Sequence, residues 1–117
     1  MSYLSRPKRS GTPKAKSHRQ ERRLAQEFGG RTTPGSGSGS IKGDVTTDGE
    51  MIEAKTTSKT QFTLRLETLQ KLTVEADAAG KRPVLVLQFD DDTPIYLTHS
   101  EWVVVPKRDY LALKEQP

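Results

Sequence analysis

The chain contains neither cysteine nor asparagine among its 117 residues. The absence of cysteine excludes disulfide bonds, thiolate zinc sites and thiol catalysis. Lacking both of these heat-labile types is a trait of proteins from hot environments, and a biased source composition gives the same pattern. Apolar runs are short as well: none approaches the ~18 residues of a membrane span, and residues 1–17 lack the apolar centre of a signal peptide. The sequence therefore predicts an intracellular protein with no membrane segment.

Apolar side chains are scarce, at 32% of residues against 29% charged, with a mean hydropathy of −0.73. One domain is expected at this length, burying roughly 60–70% of its surface on folding, and so little apolar material predicts that part of the chain stays unpacked. Residues 1–23 hold eight basic residues and one acidic residue, a balance of +7 against −3 for the remainder. We therefore predict a flexible basic arm over residues 1–16, which grips phosphates, and a folded domain over residues 17–117. A solvated tail is the alternative.

The pair Asp48-Gly49 predicts the turn of a β-hairpin. Asp-Gly is favoured in two-residue type I′ turns, in which both residues have positive φ. A hairpin closed at this turn pairs residues 44–47 with residues 50–53. Because side chains alternate along a strand, Val45 and Ile52 would point to one face and the charged residues to the other.

Two carboxylates face each other in that register, those of Asp44 and Glu53. Directly opposed residues have Cβ atoms roughly 4.5–5.5 Å apart. Such a pair is destabilising unless a cation lies between its members. Lys55 returns to the same face, so the pattern indicates a site for a hard divalent metal ion with an ammonium group beside it.

Upstream of the hairpin, Ser17 has capping-box spacing for the start of a helix that ends at Gly29-Gly30. Glu21 shares a helical face with apolar residues, and Arg22 and Arg23 point to solvent. The apolar residues of that face are Leu24, Ala25 and Phe28. Glu21 is either a boundary glutamate paired with an arginine or a third carboxylate directed at the metal.

Downstream, a core-packing helix is predicted from Leu66 to Gly80, with Leu66, Leu69, Leu72, Ala76 and Ala79 on its apolar stripe. The run at residues 84–89 predicts a strand covered on both faces. Short strands at residues 95–98 and 102–105 and a last helix over residues 106–114 complete the chain. Helices following strands in this order favour an α/β fold.

Three ordered segments resemble the archaeal-type Holliday-junction resolvases of the PD-(D/E)xK nuclease superfamily. They are Glu21-Arg22-Arg23-Leu24, Gly39-Ser40-Ile41-Lys42-Gly43-Asp44 and Ile52-Glu53-Ala54-Lys55, within a match that covers about residues 21–89. The resemblance implies a restriction-endonuclease-like α/β core, with a central mixed β-sheet flanked by helices. It also implies a homodimer that cuts four-way DNA junctions and leaves 5′ phosphates. The hairpin is tighter than in the archaeal members.

The resemblance also implies roles for individual residues. Mg²⁺, with Mn²⁺ as a substitute, would be held by Glu21, Asp44, Glu53 and the Ala54 carbonyl, and Lys55 would act on the attacking water. Ser40 would contact a phosphate as the fifth catalytic residue, although the glycine–serine loop at residues 35–40 is equally typical of a linker. The predicted DNA contacts are Arg9, Lys14, Lys16, Arg19, Arg22, Arg31, Ser36, Ser38 and Lys42.

Two other functions fit the same residues. The chain could be another endonuclease of the superfamily, acting in DNA repair or restriction, or a nucleic-acid-binding module without catalysis. A resolvase of this size would need a two-fold dimer to match the symmetry of its junction, and the apolar residues between Ile95 and Leu113 are the predicted interface. If a phage encodes the chain, the site of action would be the host cytoplasm.

Overall fold

A computed structural model describes residues 13–33, 44–89 and 100–117, with side chains from His18 onwards. Within these ranges the chain forms three helices and five strands. In chain order they are α1 (Pro13–Phe28), β1 (Arg31–Thr32), β2 (Val45–Thr46), β3 (Glu50–Thr57), α2 (Leu66–Ala78), β4 (Arg82–Phe89), β5 (Glu101–Val104) and α3 (Lys107–Lys114). The strand predicted at residues 95–98 lies outside the described residues.

The five strands form one mixed sheet in the order β1-β2-β3-β4-β5. Strands β3 and β4 are parallel, and the other neighbouring pairs are antiparallel. The parallel pair requires a crossover connection, and α2 supplies it. The prediction of an α/β fold with a central mixed sheet and accompanying helices is confirmed; strand β1 had no signal in the sequence.

Helix α1 begins at Pro13, so the predicted start at Ser17 is wrong. Proline suits the first turn of a helix because its fixed φ is already helical, and α1 thus includes the last four residues of the range assigned to the arm. The predicted end is confirmed: Gly29 has a φ of +71°, and the N–H of Gly30 donates to the carbonyl of Ala25 at 2.8 Å. This is the Schellman arrangement that favours glycine. A Cβ at Gly30 would lie 2.2 Å from the Thr46 carbonyl oxygen, so glycine also lets α1 end against β2.

Buried side chains form one layer on each face of the sheet. The layer under α1 consists of Leu24, Ala25, Val45, Ile52, Val84 and Val86. The layer under α2 consists of Met51, Leu72, Ala76 and Leu85. Full burial of a large aliphatic side chain is worth roughly 1.5–3 kcal/mol, so these layers hold both helices on the sheet, and the predicted apolar face of α1 is confirmed.

The C-terminal elements follow the sequence pattern except at the two ends of α2. Helix α2 buries Leu72 and Ala76 as predicted, but Leu66 is 69% exposed, because it lies in the first turn, before the part of the helix that covers the sheet. Ala79, also predicted on the apolar stripe, is the C-cap residue and is exposed. Strand β4 is covered on both faces. Helix α3 follows Pro106 and has no buried residue. Among the helices of the described ranges, none combines the length and apolar character that a membrane crossing needs.

Candidate metal and phosphodiester site

The hairpin of β2 and β3 has the predicted register but a different turn. Val45 pairs with Ile52, and the N–H of Thr47 donates to the carbonyl of Glu50 at 3.0 Å. Gly49 does not have a positive φ, so the predicted type I′ turn is wrong. The Thr47 hydroxyl instead accepts hydrogen bonds from the N–H groups of Gly49 at 3.2 Å and Glu50 at 3.0 Å, a local side-chain contact that replaces the conformation expected for Asp-Gly.

The start of β4 holds this turn in place. The Lys81 ammonium donates to the carbonyls of Thr47 and Asp48, and the N–H of Arg82 donates to the carbonyl of Gly49 at 2.8 Å. The turn is therefore fixed by residues more than thirty positions later in the chain.

Asp44 lies at the point where the hairpin ladder stops. Its N–H donates to the Ile52 carbonyl at 2.8 Å, and its carbonyl accepts a hydrogen bond from the N–H of Thr33 at 3.0 Å. Its side-chain Oδ2 accepts a hydrogen bond from the N–H of Ala54 at 2.8 Å. Asp44 does not pair directly with Glu53, so that prediction is wrong. The Asp44 carboxylate takes the place of the backbone carbonyl that would next accept a hydrogen bond from β3, and it therefore lies at the edge of β3.

Glu53 and Lys55 lie together on β3, as predicted. The Lys55 Nζ is 3.4 Å from Glu53 Oε2, and the two side chains are 37% and 26% exposed. Because residues alternate along the strand, both side chains share the face of Met51, which is covered by α2. The ammonium group predicted beside a carboxylate is therefore in place.

The carboxylates of this region repel one another. Burial raises the pKa of Glu21, and the charges of Asp44 and Glu53 raise it further. Burial is also the main reason for the raised pKa of Glu53, to which Asp44 and Glu75 add, whereas Lys55 lowers it. Burial therefore accounts for the largest part of the upward change at Glu53, and Lys55 opposes the part that comes from Asp44 and Glu75. A bound cation would relieve the repulsion among these carboxylates.

The residues suit a hard cation held by few protein ligands. Among the described residues, no group of three or more acidic or histidine side chains is close enough together to hold a metal ion. The three carboxylates predicted as ligands, those of Glu21, Asp44 and Glu53, are therefore not gathered around one point. Mg²⁺ usually keeps several waters and uses one or two carboxylates, so a site on Asp44 and Glu53 would be completed by water. In a strand, the N–H and C=O of one residue point to the same side; since the Ala54 N–H meets Asp44, the Ala54 carbonyl is directed to the same edge.

Gln20 was not recognised from the sequence, although it contacts the strand of the site. Its side chain is buried, the residue being 4% exposed. Its Nε2 donates to the carbonyl of Lys55 at 3.2 Å, and the Thr56 hydroxyl donates to its Oε1 at 2.7 Å. The only available signal was its position immediately before Glu21 on the inner face of α1.

Arg23 is not a solvated arginine, and that prediction is wrong. Its guanidinium donates to both carboxylate oxygens of Glu101 on β5, at 2.8 and 2.6 Å, and also contacts Gln88 and Glu27. The pair links α1 to the far edge of the sheet across 78 positions. No local pattern could show such a contact.

Glu75 is a further residue that the sequence interpretation did not include. It lies on α2 three positions after the buried Leu72, which places it on the same side of the helix. Its charge contributes to the raised pKa of Glu53. The spacing from Leu72 was a signal that could have identified it.

The predicted DNA contacts are only partly described. Arg22 and Arg31 are exposed. Arg19 is half-buried, and its Nη2 is enclosed without a hydrogen-bond partner in the described part of the chain. The backbone of Lys14 and Lys16 belongs to α1. The remaining predicted contacts lie outside the described residues: Arg9, Ser36, Ser38 and Lys42, together with the predicted catalytic Ser40.

The fold and the site define an α/β protein with a five-stranded mixed sheet and a carboxylate–lysine group at one end of its hairpin. The chain matches no protein-family model. A comparison with curated proteins gives no match either.

Proposed function

We propose that this protein is a Mg²⁺-dependent endonuclease with a restriction-endonuclease-like core, which resolves four-way DNA junctions. The observation that carries the proposal is the geometry of one hairpin. Asp44 is bound to the Ala54 N–H at 2.8 Å, and Glu53 and Lys55 lie 3.4 Å apart on the same strand. An excess of carboxylate charge beside an ammonium group suits metal-assisted phosphodiester hydrolysis.

In this proposal each group has a separate task. Asp44, Glu53 and the Ala54 carbonyl hold the metal, and Glu21 holds a second ion or its waters. When bound, Mg²⁺ would neutralise the charge that develops on the phosphoryl group and lower the pKa of a water molecule. Lys55 orients that water or stabilises the charged transition state, since its Nζ is already held beside Glu53.

The reaction balances with water as the only co-reactant. The water oxygen forms a bond to phosphorus, and the bond from phosphorus to the 3′ oxygen breaks in line with it. The leaving 3′ oxygen takes up a proton, the proton released by the water passes to solvent, and the product carries a 5′ phosphate. No residue forms a covalent intermediate, which agrees with the absence of cysteine.

The exposed apolar surface of the C-terminal third supports a homodimer. Trp102, Val103, Tyr110, Leu111 and Leu113 are each between 45% and 56% exposed. An apolar groove of about 220 Å³ lies between α2 and the end of β5 and is lined by Leu72, Pro83 and Val105 among others. Such a surface is a liability in a monomer, and a two-fold dimer would give two sites for the two cuts that a four-way junction requires.

The proposal is tested with one labelled four-way junction and a linear duplex of the same sequence, each with and without Mg²⁺. Paired cuts in the junction alone, only with Mg²⁺, are the expected result. Equal cutting of the duplex would identify an endonuclease of repair or restriction type. Binding without cutting would leave a nucleic-acid-binding module.

A further inference from the structure

One buried amide joins the two elements that carry the candidate site. Gln20 belongs to α1 and is 4% exposed, and its two side-chain hydrogen bonds both end on β3, at Lys55 and Thr56. Glu21 is the next residue of the helix, and the Lys55 carbonyl is itself a hydrogen-bond acceptor. The Gln20 amide therefore neighbours Glu21 in sequence and contacts the backbone of Lys55, and both of these residues belong to the proposed site.

The hydrogen bonds of Gln20 depend on orientation, whereas the apolar contacts around them do not. Leu24 and Ala25 pack on apolar side chains of the sheet, and apolar burial depends on area far more than on orientation. A slide of α1 by one residue would move Gln20 by about 1.5 Å along the helix axis. The slide would preserve much of that burial but would break both hydrogen bonds and leave a buried amide without partners, which is costly.

We propose that Gln20 is a positioning residue for the nuclease site, which sets the register of α1 on β3 and so places Glu21 relative to Asp44 and Glu53 while fixing the backbone from which Lys55 projects. The proposal rests on the function proposed above. It assigns to Gln20 no contact with metal, water or DNA. Misplacement of catalytic groups by about 1 Å can reduce a rate by about a hundredfold, so removal of the two hydrogen bonds affects the chemical step more than substrate binding.

The test compares Gln20→Leu with the unaltered protein in single-turnover cleavage of a four-way junction. Leucine fills a similar volume and removes both hydrogen bonds. We expect the rate at saturating protein to fall by about tenfold or more, and the Mg²⁺ concentration for half-maximal rate to rise. The dissociation constant for the junction, measured in Ca²⁺, is expected to stay within about twofold, because every phosphate-binding side chain is still present.

Gln88→Leu is the matched control. Gln88 is also buried, at 8% exposure, and it lies on β4, where it accepts a hydrogen bond from Arg23 at 3.4 Å. The same substitution there removes a contact between α1 and β4 and keeps both hydrogen bonds of Gln20 to β3, so the rate per folded molecule and the Mg²⁺ requirement are expected to remain those of the unaltered protein. Equal losses of rate in both variants, or none in Gln20→Leu, would overturn the positioning role.

Thr56 provides a second test in case Gln20→Leu does not fold. Thr56→Val keeps the shape of the side chain and removes the hydroxyl, whereas Thr56→Ser keeps the hydroxyl. A slower single-turnover rate with valine, restored by serine, supports the proposal, and unaltered kinetics with valine contradict it. If the unaltered protein does not cut the junction with Mg²⁺, the proposed function fails and the inference fails with it. If the protein cuts and these variants match it, only the positioning role fails.

Discussion

Replacing Glu21 by glutamine is expected to make the metal-free protein more stable while it weakens the proposed site. Burial and the charges of Asp44 and Glu53 all raise the pKa of Glu21, so each disfavours its ionised form. No salt bridge of Glu21 occurs among the described residues to offset them. Glutamine keeps the size of the side chain and removes the charge, and the repulsion disappears with it.

Burial of the ionised carboxyl is the largest cause of the effect, and the like charges of Asp44 and Glu53 add to it. Opposed charged pairs in sheets change stability by roughly 0.2–1 kcal/mol, and solvent screens the half-buried Glu21, which favours the lower part of that range. For a domain of this size, 1 kcal/mol corresponds to about 4–8 °C in melting temperature. Glu21→Gln is therefore expected to raise the melting temperature by roughly 1–4 °C at neutral pH.

The pH dependence gives the sign of the effect. The pKa of Glu21 in the folded protein is raised above the ordinary value of 4.5, so the folded state binds more protons than the unfolded state between these two values. The contribution of this carboxyl to stability is thus largest at low pH and falls as the pH rises through that interval. The increase in melting temperature caused by Glu21→Gln should therefore be present at about pH 8 and vanish at about pH 4.

Calorimetry without divalent ions, at both pH values, measures this difference. Glu27→Gln is the control, because Glu27 lies on the same helix and forms an exposed salt bridge with Arg23 at 3.1 Å. Its neutralisation is expected to leave stability unchanged or slightly reduced. A lower melting temperature for Glu21→Gln at about pH 8 would show that Glu21 is stabilised as a charged group and would refute the reasoning.

Three further predictions concern parts of the molecule outside the site. Arg23→Met should lower the free energy of unfolding in urea by about 1–2 kcal/mol, and a double-mutant cycle with Glu101→Gln should give a coupling energy between the two residues. A coupling energy near zero would show that the bidentate contact adds no net stability. Deletion of residues 1–12, which leaves α1 whole, should weaken junction and duplex binding alike and reduce the salt slope by about one unit for every phosphate that the arm no longer neutralises; an unchanged slope would make the arm a solvated tail. Sedimentation equilibrium should give a dimer that Trp102→Ser weakens, and a mass of 13.0 kDa for the unaltered protein, free and DNA-bound, would contradict it.

The sequence was most informative where a structural feature depends on neighbouring residues. Gly29 marks the end of α1 because a left-handed residue is needed there, and alternation along β3 places Lys55 beside Glu53. The turn at Gly49 was not predictable in the same way, because the Thr47 hydroxyl and the distant Lys81 determine it.

Contacts between distant segments account for the rest of what the sequence did not show. Arg23 and Glu101 are 78 positions apart, and Gln20 meets Lys55 across 35 positions. Their pairing depends on where α1 lies on the sheet, and hydrophobic periodicity gives only the face of the helix and not its register. The role of Gln20 as the directional contact could therefore emerge only from the folded chain.

The central claim is that the hairpin carboxylates support metal-dependent cleavage, and single-turnover cleavage of a four-way junction by Asp44→Asn tests it most directly. Asparagine can still accept the hydrogen bond from the Ala54 N–H, so the variant should fold and bind the junction. Asp48→Asn, which changes an exposed aspartate in the turn of the same hairpin, is the control. Asp44→Asn is expected to lose at least about a hundredfold in rate with Mg²⁺, while Asp48→Asn keeps the rate of the unaltered protein. Near-normal cleavage by Asp44→Asn would contradict the account.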